Sequence, residues 1–142
     1  MDTLHPTRPR ATSRATLIRD RIARVLMLLS ALGALSACLI SIGAVGAAGP
    51  LTQQVEAWRL LGFVMFTGIF ALLALWPRRY PGLWELVLAN KAVLTIVEAL
   101  LIRTYAAHAQ DAAIIDGILT VMILAAYLLS RGYTSWRPRR AV

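Results

Sequence analysis

The chain has few residues of the kinds that build metal, haem or thiol chemistry. Its one cysteine, Cys38, excludes an internal disulfide framework and a paired-cysteine redox or zinc motif. Its two histidines, His5 and His108, lie far apart in the sequence and provide no ligand set for haem or a metal. We therefore expect no cofactor. Because no catalytic signature names a reaction either, a non-enzymatic role is favoured.

Charged residues are also scarce, at 15% of 142 residues, whereas hydrophobic residues make up 58% and the mean hydropathy is +0.65. About a quarter of a soluble domain is charged, so this composition favours a membrane protein. The net charge of +8 would suggest a nucleic-acid partner in a soluble protein. Here the arginines cluster at the ends of apolar runs, where they act as anchors beside anionic lipid headgroups. The predicted partner is thus the lipid bilayer, with no nucleic acid.

Four apolar runs are each about long enough to cross a bilayer, because roughly 20 helical residues span its hydrocarbon. They cover residues 25–48, 58–76, 83–102 and 112–130. The predicted fold is all-α, a polytopic antiparallel bundle of four transmembrane helices within residues 16–132. Residues 1–15 are predicted to be a disordered basic tail, and residues 133–142 a second basic tail.

The arginines predict the orientation of this bundle. Twelve of them flank one side of the predicted membrane: Arg8, Arg10, Arg14, Arg19, Arg21, Arg24, Arg78, Arg79, Arg131, Arg137, Arg139 and Arg140. The other side has only Arg59 and Arg103, so the positive-inside rule places both termini in the cytoplasm. Tryptophan and tyrosine should form belts at the two interfaces. The inner belt comprises Trp76, Tyr80, Trp84, Tyr133 and Trp136, and the outer belt Trp58 and Tyr105. The abundance of alanine and arginine, with a single lysine, suggests a GC-rich bacterial genome, and the predicted location is the bacterial cytoplasmic (inner) membrane.

The connection at residues 77–82 is short and bounded by helix breakers. This predicts that the second and third helices are antiparallel neighbours.

The first run has a second interpretation. Arginines, an apolar stretch and then Leu35-Ser36-Ala37-Cys38 match a lipoprotein signal, in which Cys38 would be lipidated after cleavage. Against this, the apolar sequence continues beyond Cys38 and three more runs follow. The favoured alternative is a packing face of small residues through which another membrane protein, or a second copy, could dock. Its members are Ser30, Gly33, Ala37, Ser41 and Ala44.

Ionisable residues within the runs are the main candidates for function, since each costs about 2.5–3.5 kcal/mol at the bilayer centre. Lys91 lies near the midplane, and Glu98 follows seven residues later on the same helix face, with Thr95 between them. The two Cα atoms are about 10 Å apart along the axis, which is too far for an easy direct ion pair. Lys91 therefore needs another partner, such as water, a backbone carbonyl or another chain.

Depth along the helices predicts an outer polar cluster. Glu98 lies about 8 Å outward of the midplane, Asp116 about 7 Å and Arg59 about 12 Å. An arginine can bridge two acids, so these three side chains form a satisfiable set. Thr120 shares a face with Asp116. The complete candidate cluster is Arg59, Lys91, Thr95, Glu98, Asp116 and Thr120. Such a cluster could equally hold helices in register, and Arg59 could extend outward to the interface.

Several short motifs resemble the DoxX-like group of small four-helix membrane proteins. They are Arg59 with Gly62 and Gly68, the turn Trp76-Pro77-Arg78-Arg79, and Asp116-Gly117. The resemblance implies a four-helix bundle in the bacterial cytoplasmic membrane, with some members linked to redox or quinone systems. It assigns no active residue here.

Three functions remain open from the sequence. The first is an accessory or assembly protein that docks membrane partners through the small-residue face. The second is a proton-linked or small-solute translocator using Glu98, Asp116 and Lys91. The third, by family analogy alone, is a lipid- or quinone-linked membrane enzyme.

Overall fold

The computed structural model describes residues 14–102 and 109–136, which form an antiparallel all-α bundle. Its elements are α1 (Arg14–Ala47), α2 (Gln53–Leu75), α3 (Leu83–Leu101), α4 (Ala109–Ser130) and a 3₁₀ helix (Gly132–Trp136). His5, Arg103, Tyr105 and His108 lie outside the described residues. So does the predicted N-terminal tail, except its last two residues, which begin α1.

The helices end where the sequence has breakers. After α1, the carbonyl of Gly49 accepts bonds from the backbone N–H groups of Thr52 and Gln53, both at 3.0 Å, and this turn leads into α2. α2 stops before Pro77, whose ring cannot continue a helix. α3 starts after Gly82, which has a φ of 80° that glycine adopts without steric cost. These three positions confine the helices to lengths suited to a membrane.

Three of the helices, α1, α2 and α4, are long and apolar enough to cross a membrane. α3 is shorter, at 19 residues, and carries Glu85, Lys91 and Glu98. The chain is therefore a helical membrane protein in which α3 carries charged residues along its length, whereas those of α1 all lie between Arg14 and Arg24. This arrangement makes the contacts of α3 the most informative part of the fold.

The helices pack in the order α2, α1, α4, α3. α1 contacts both α2 and α4, and α3 packs on α4. The prediction that α2 and α3 are close neighbours is wrong, because among the described helices they are not a closely packed pair. α3 and α4 are in contact at Gly117, where a Cβ would meet Thr95 Cγ2 at an ordinary van der Waals distance of 3.6 Å.

The two ends of the bundle differ in packing. We call the end at which α1 and α3 begin the basic end, and the opposite end the open end. Most fully buried side chains lie in the basic half: Ala23, Met27, Ser30, Phe70, Leu73, Trp84, Val87, Ile123, Ala126 and Ser130. The helices separate towards the open end, leaving space between them.

Two predictions at the basic end need correction. Trp84 was expected in the interfacial belt, but it is only 1% exposed and its indole N–H donates to the carbonyl of Pro77 at 2.7 Å. Gly132 explains its burial, because any larger residue there would meet the Trp84 ring. Tyr133 and Trp136, predicted to lie in a basic tail, belong to the 3₁₀ helix that packs against α4.

Candidate functional site

A cavity of about 730 Å³ occupies the open half of the bundle, and all four helices line it. α1 contributes small and aliphatic residues and α2 contributes Arg59, Gly62 and two phenylalanines. α3 and α4 contribute the remaining ionisable side chains of the lining, which are Lys91, Glu98, Asp111 and Asp116. Five ionisable groups thus converge on one space, which we call the outer cavity.

A second cavity of about 450 Å³ lies deeper, between α1, α2 and α4, and we call it the inner chamber. Its lining is almost wholly apolar and includes Phe70, Leu119 and Met122. Lys91 and Asp116 line both spaces. They therefore lie where the cavity that holds the other ionisable side chains meets the more apolar one.

Lys91 and Asp116 form a buried ion pair at this boundary. The Lys91 Nζ donates to Asp116 Oδ1 at 2.7 Å, and the two side chains are 6% and 10% exposed. The same ammonium group lies 4.5 Å from the ring centroid of Phe66 on α2. Lys91 thus receives a carboxylate and an aromatic face, both from its own chain, in place of the water that it loses on burial.

Thr95 and Thr120 lie beside this ion pair and connect α3 to α4. Thr95 Oγ1 donates to the carbonyl of Lys91 at 2.8 Å, and Thr120 Oγ1 donates to that of Asp116 at 2.7 Å. The two hydroxyl oxygens are 3.4 Å apart. Each threonine hydroxyl therefore donates within its own helix and places its oxygen at the interface between α3 and α4. This contact fixes the register of Lys91 relative to Asp116.

Arg59 lies in a different arrangement from the predicted one. Its guanidinium pairs with Glu56, one helical turn earlier, and its side chain is 52% exposed. Asp116 pairs with Lys91 instead, so the expected bridge from Arg59 to two acids does not form. The reason is local, because residues three apart on a helix are neighbours and their side chains lose little conformational entropy when they pair. Arg59 still lines the outer cavity.

Glu98 and Asp111 are the acids of the outer cavity that pair with no basic residue in the described part of the chain. Glu98 Oε2 is buried and has no hydrogen-bond partner among those residues. Asp111 is exposed in the first turn of α4, where the positive end of the helix dipole favours a carboxylate. The outer cavity therefore holds two satisfied ion pairs at its edges and two acids that can receive a ligand.

The small-residue face of α1 is only partly buried within the protein. Ser30 and Ser41 are buried, and Gly33, Ala37 and Ser41 line one or both cavities. A Cβ added at Gly33 would meet no atom within 4 Å, so this glycine borders open space and not a close helix contact. In the structure these small residues leave room for the cavities.

The basic end has a polar network that the sequence did not indicate. Glu85 Oε1 accepts bonds from the Tyr127 hydroxyl at 2.8 Å and from the Trp136 indole at 3.1 Å. Arg78 pairs with Asp20 on α1 and donates to the last carbonyl of α4, at Ser130, at 2.7 Å. Arg78 thereby ties together two helices and a connection, and this network closes the basic end.

Within residues 14–102 and 109–136, no group of three or more histidine, cysteine, aspartate or glutamate side chains could hold a metal ion. No protein-family model, no curated protein and no solved structure matches this chain. The fold and the cavities define a helical membrane protein with an ion pair buried where two adjoining cavities meet.

Proposed function

We propose that this protein binds a small solute in the outer cavity and translocates it, with proton movement linked to the Lys91–Asp116 pair. The observation that carries the proposal is the position of this pair, buried at the junction of two cavities. A pair used only for packing has no need of adjoining empty space. Here both charged residues face volume in which a solute fits.

The translocator takes precedence over the accessory role for a structural reason. Docking a partner was predicted from the small residues of α1, but several of these residues line the cavities of this chain. Ser30 and Ser41 are buried, so a partner cannot reach those two side chains in this arrangement of helices. The quinone-linked enzyme keeps only the family resemblance as its support.

The linkage to protons follows from the chemistry of the pair. Protonation of Asp116 removes the attraction that holds Lys91 in place and leaves a buried ammonium without its carboxylate, which is unfavourable. This energetic cost favours a rearrangement of α3 relative to α4. A two-state element of this kind, biased by a proton and by a solute, is what coupled transport requires.

The orientation in the membrane is part of the proposal. The basic end carries Arg24, Arg78, Arg79 and Arg131, which the positive-inside rule assigns to the cytoplasm. We propose that the chain lies in the bacterial cytoplasmic membrane and that α3 spans it together with α1, α2 and α4. The outer cavity then opens to the non-cytoplasmic side. The ion pair then separates an outward-facing space from a closed cytoplasmic half.

The test is proton entry into proteoliposomes that contain a trapped pH-sensitive dye. After an external acid step, the wild-type protein should acidify the lumen faster than protein-free vesicles do. Glu98→Gln and Asp116→Asn should remove the difference, and Glu85→Gln, a carboxylate at the opposite end, should keep it. Wild-type vesicles no faster than empty ones would refute the proton linkage. If the purified protein also retained a stoichiometric partner in native mass spectrometry, the accessory role would replace the translocator.

A further inference from the structure

We infer that the ligand of the outer cavity is a lipophilic organic cation, an inference that rests on the proposed solute-binding function. The first argument is charge. Lys91 is neutralised by Asp116, and Arg59 by Glu56. The acids that remain for a ligand are Glu98, whose buried Oε2 has no partner among the described residues, and Asp111 at the cavity mouth.

An anionic ligand meets the opposite situation. It would face Glu98 and Asp111 directly, while the nearby basic residues, Lys91 and Arg59, each already hold a carboxylate. Like charges in a space of low dielectric repel strongly. A cation instead satisfies Glu98 without breaking either ion pair.

The second argument is the apolar lining. Phe63 and Phe66 line both cavities, together with Ile40 and Ile115. A hydrated metal ion gains nothing from such walls, and the described residues contain no cluster of three or more histidine, cysteine, aspartate or glutamate side chains that could hold one. An organic cation gains from them, since aromatic faces attract positive charge and aliphatic walls accept its apolar body.

The third argument is size and shape. The outer cavity of about 730 Å³ and the inner chamber of about 450 Å³ each fall in the range of small-molecule sites. Because they share lining residues, a ligand can place its charge beside Glu98 and its apolar part against Phe63. The site therefore fits a molecule with one positive centre and several apolar groups.

Binding of tetraphenylphosphonium to the purified full-length chain tests this inference, measured by isothermal titration in mild detergent with protein-free micelles subtracted. Two probes of similar shape are compared with it: the anion tetraphenylborate and the neutral triphenylphosphine oxide. The cation should bind more tightly than either. Glu98→Gln should weaken it about tenfold, the effect of losing one charge-assisted contact, and Glu85→Gln should leave it unchanged.

A cavity-filling variant links the signal to the site. A Cβ at Gly62 would meet no atom within 4 Å, so Gly62→Trp should fold and block binding. If a neutral or anionic probe bound more tightly than the cation and Gly62→Trp blocked its binding, the inference of a cationic ligand would be refuted and the proposed solute site would stand. If none of the three probes bound wild type, the cation and the solute site would both be refuted. Equal cation binding by wild type and Gly62→Trp would place the signal outside the cavity and refute the inference.

Discussion

Lys91 Nζ lies 2.7 Å from Asp116 Oδ1, and both side chains are at least nine-tenths buried. This contact joins α3 to α4, and the nearby Phe66 ring adds α2. Two charges in an apolar bundle are costly to desolvate, and their mutual attraction offsets that cost only while both are present. The pair is therefore close to neutral as a unit, and the protein is destabilised when only one partner is removed.

Halving the pair provides the first prediction. Lys91→Met and Asp116→Leu should each lower the free energy of unfolding by about 3–5 kcal/mol, because each leaves an unpaired buried charge. The double variant should unfold near the wild-type midpoint. Chemical denaturation in detergent measures the three values, and additive losses in the double variant would show that the two residues do not act together.

A close approach at the basic end provides the second prediction. A Cβ at Gly132 would lie 2.7 Å from both Trp84 Cδ1 and Tyr127 Cδ2, so Gly132→Ala should cost about 1–3 kcal/mol through overpacking. Gly68 in α2 is the matched control, because a Cβ there would meet nothing within 4 Å. Gly68→Ala should be neutral or stabilising by about 0.5–1 kcal/mol. Thermal melting compares them; equal melting temperatures for the two variants would argue against the tight packing of Gly132.

The Glu85 network provides the third prediction. Tyr127→Phe keeps the ring but removes the hydrogen bond to Glu85, which should destabilise the protein by about 1–3 kcal/mol. Tyr133→Phe is the control, because its ring packs edge-on against Tyr127 while its hydroxyl bonds to nothing in the described residues. Tyr133→Phe should therefore change the unfolding midpoint little. Equal effects of both changes would indicate that the hydroxyl of Tyr127 has no special role.

The lipoprotein interpretation of Cys38 provides the fourth prediction. Cleavage before Cys38 would remove Ala23, Met27, Ala31 and Ala34, which pack in the hydrophobic core. We therefore expect an uncleaved chain of 15.5 kDa with an unmodified Cys38. Intact-mass measurement of protein purified from membranes checks this. A mass lacking the first 37 residues and carrying added lipid would establish the alternative.

The fold was largely accessible from the sequence because its determinants are local. Gly49-Pro50, Pro77 and Gly82 end or begin helices through backbone chemistry, so several helix ends lie near the ends of the predicted runs, although α1 begins at Arg14, well before residue 25. The order of packing was not accessible in the same way. It depends on contacts between distant residues, such as the Lys91–Asp116 pair and the close approach of Gly132 to Trp84, which no local pattern specifies.

The site was predictable in composition but not in pairing. Lys91, Thr95, Glu98, Asp116 and Thr120 were selected because polar groups inside spans are costly. The prediction then paired Asp116 with Arg59 from their similar depth in the membrane, although depth does not say which helices are adjacent. The long, flexible side chain of Lys91 reaches from the midplane to Asp116. Thr95 and Thr120, which lie on the same helix faces as these two residues and contact each other, could have indicated that α3 faces α4. Spacing would also have indicated Glu56 as the partner of Arg59.

Thiol labelling of two single-cysteine variants tests the central claim most directly. In a Cys38→Ser background, Gly62→Cys places a thiol in the outer cavity and Ala126→Cys places one in the packed basic half. The account predicts that a membrane-impermeant reagent, added to the non-cytoplasmic side of sealed membranes, modifies position 62 and spares position 126. Modification of position 62 from the cytoplasmic side alone, or of neither position before denaturation, would contradict an outward-open cavity closed beneath the ion pair.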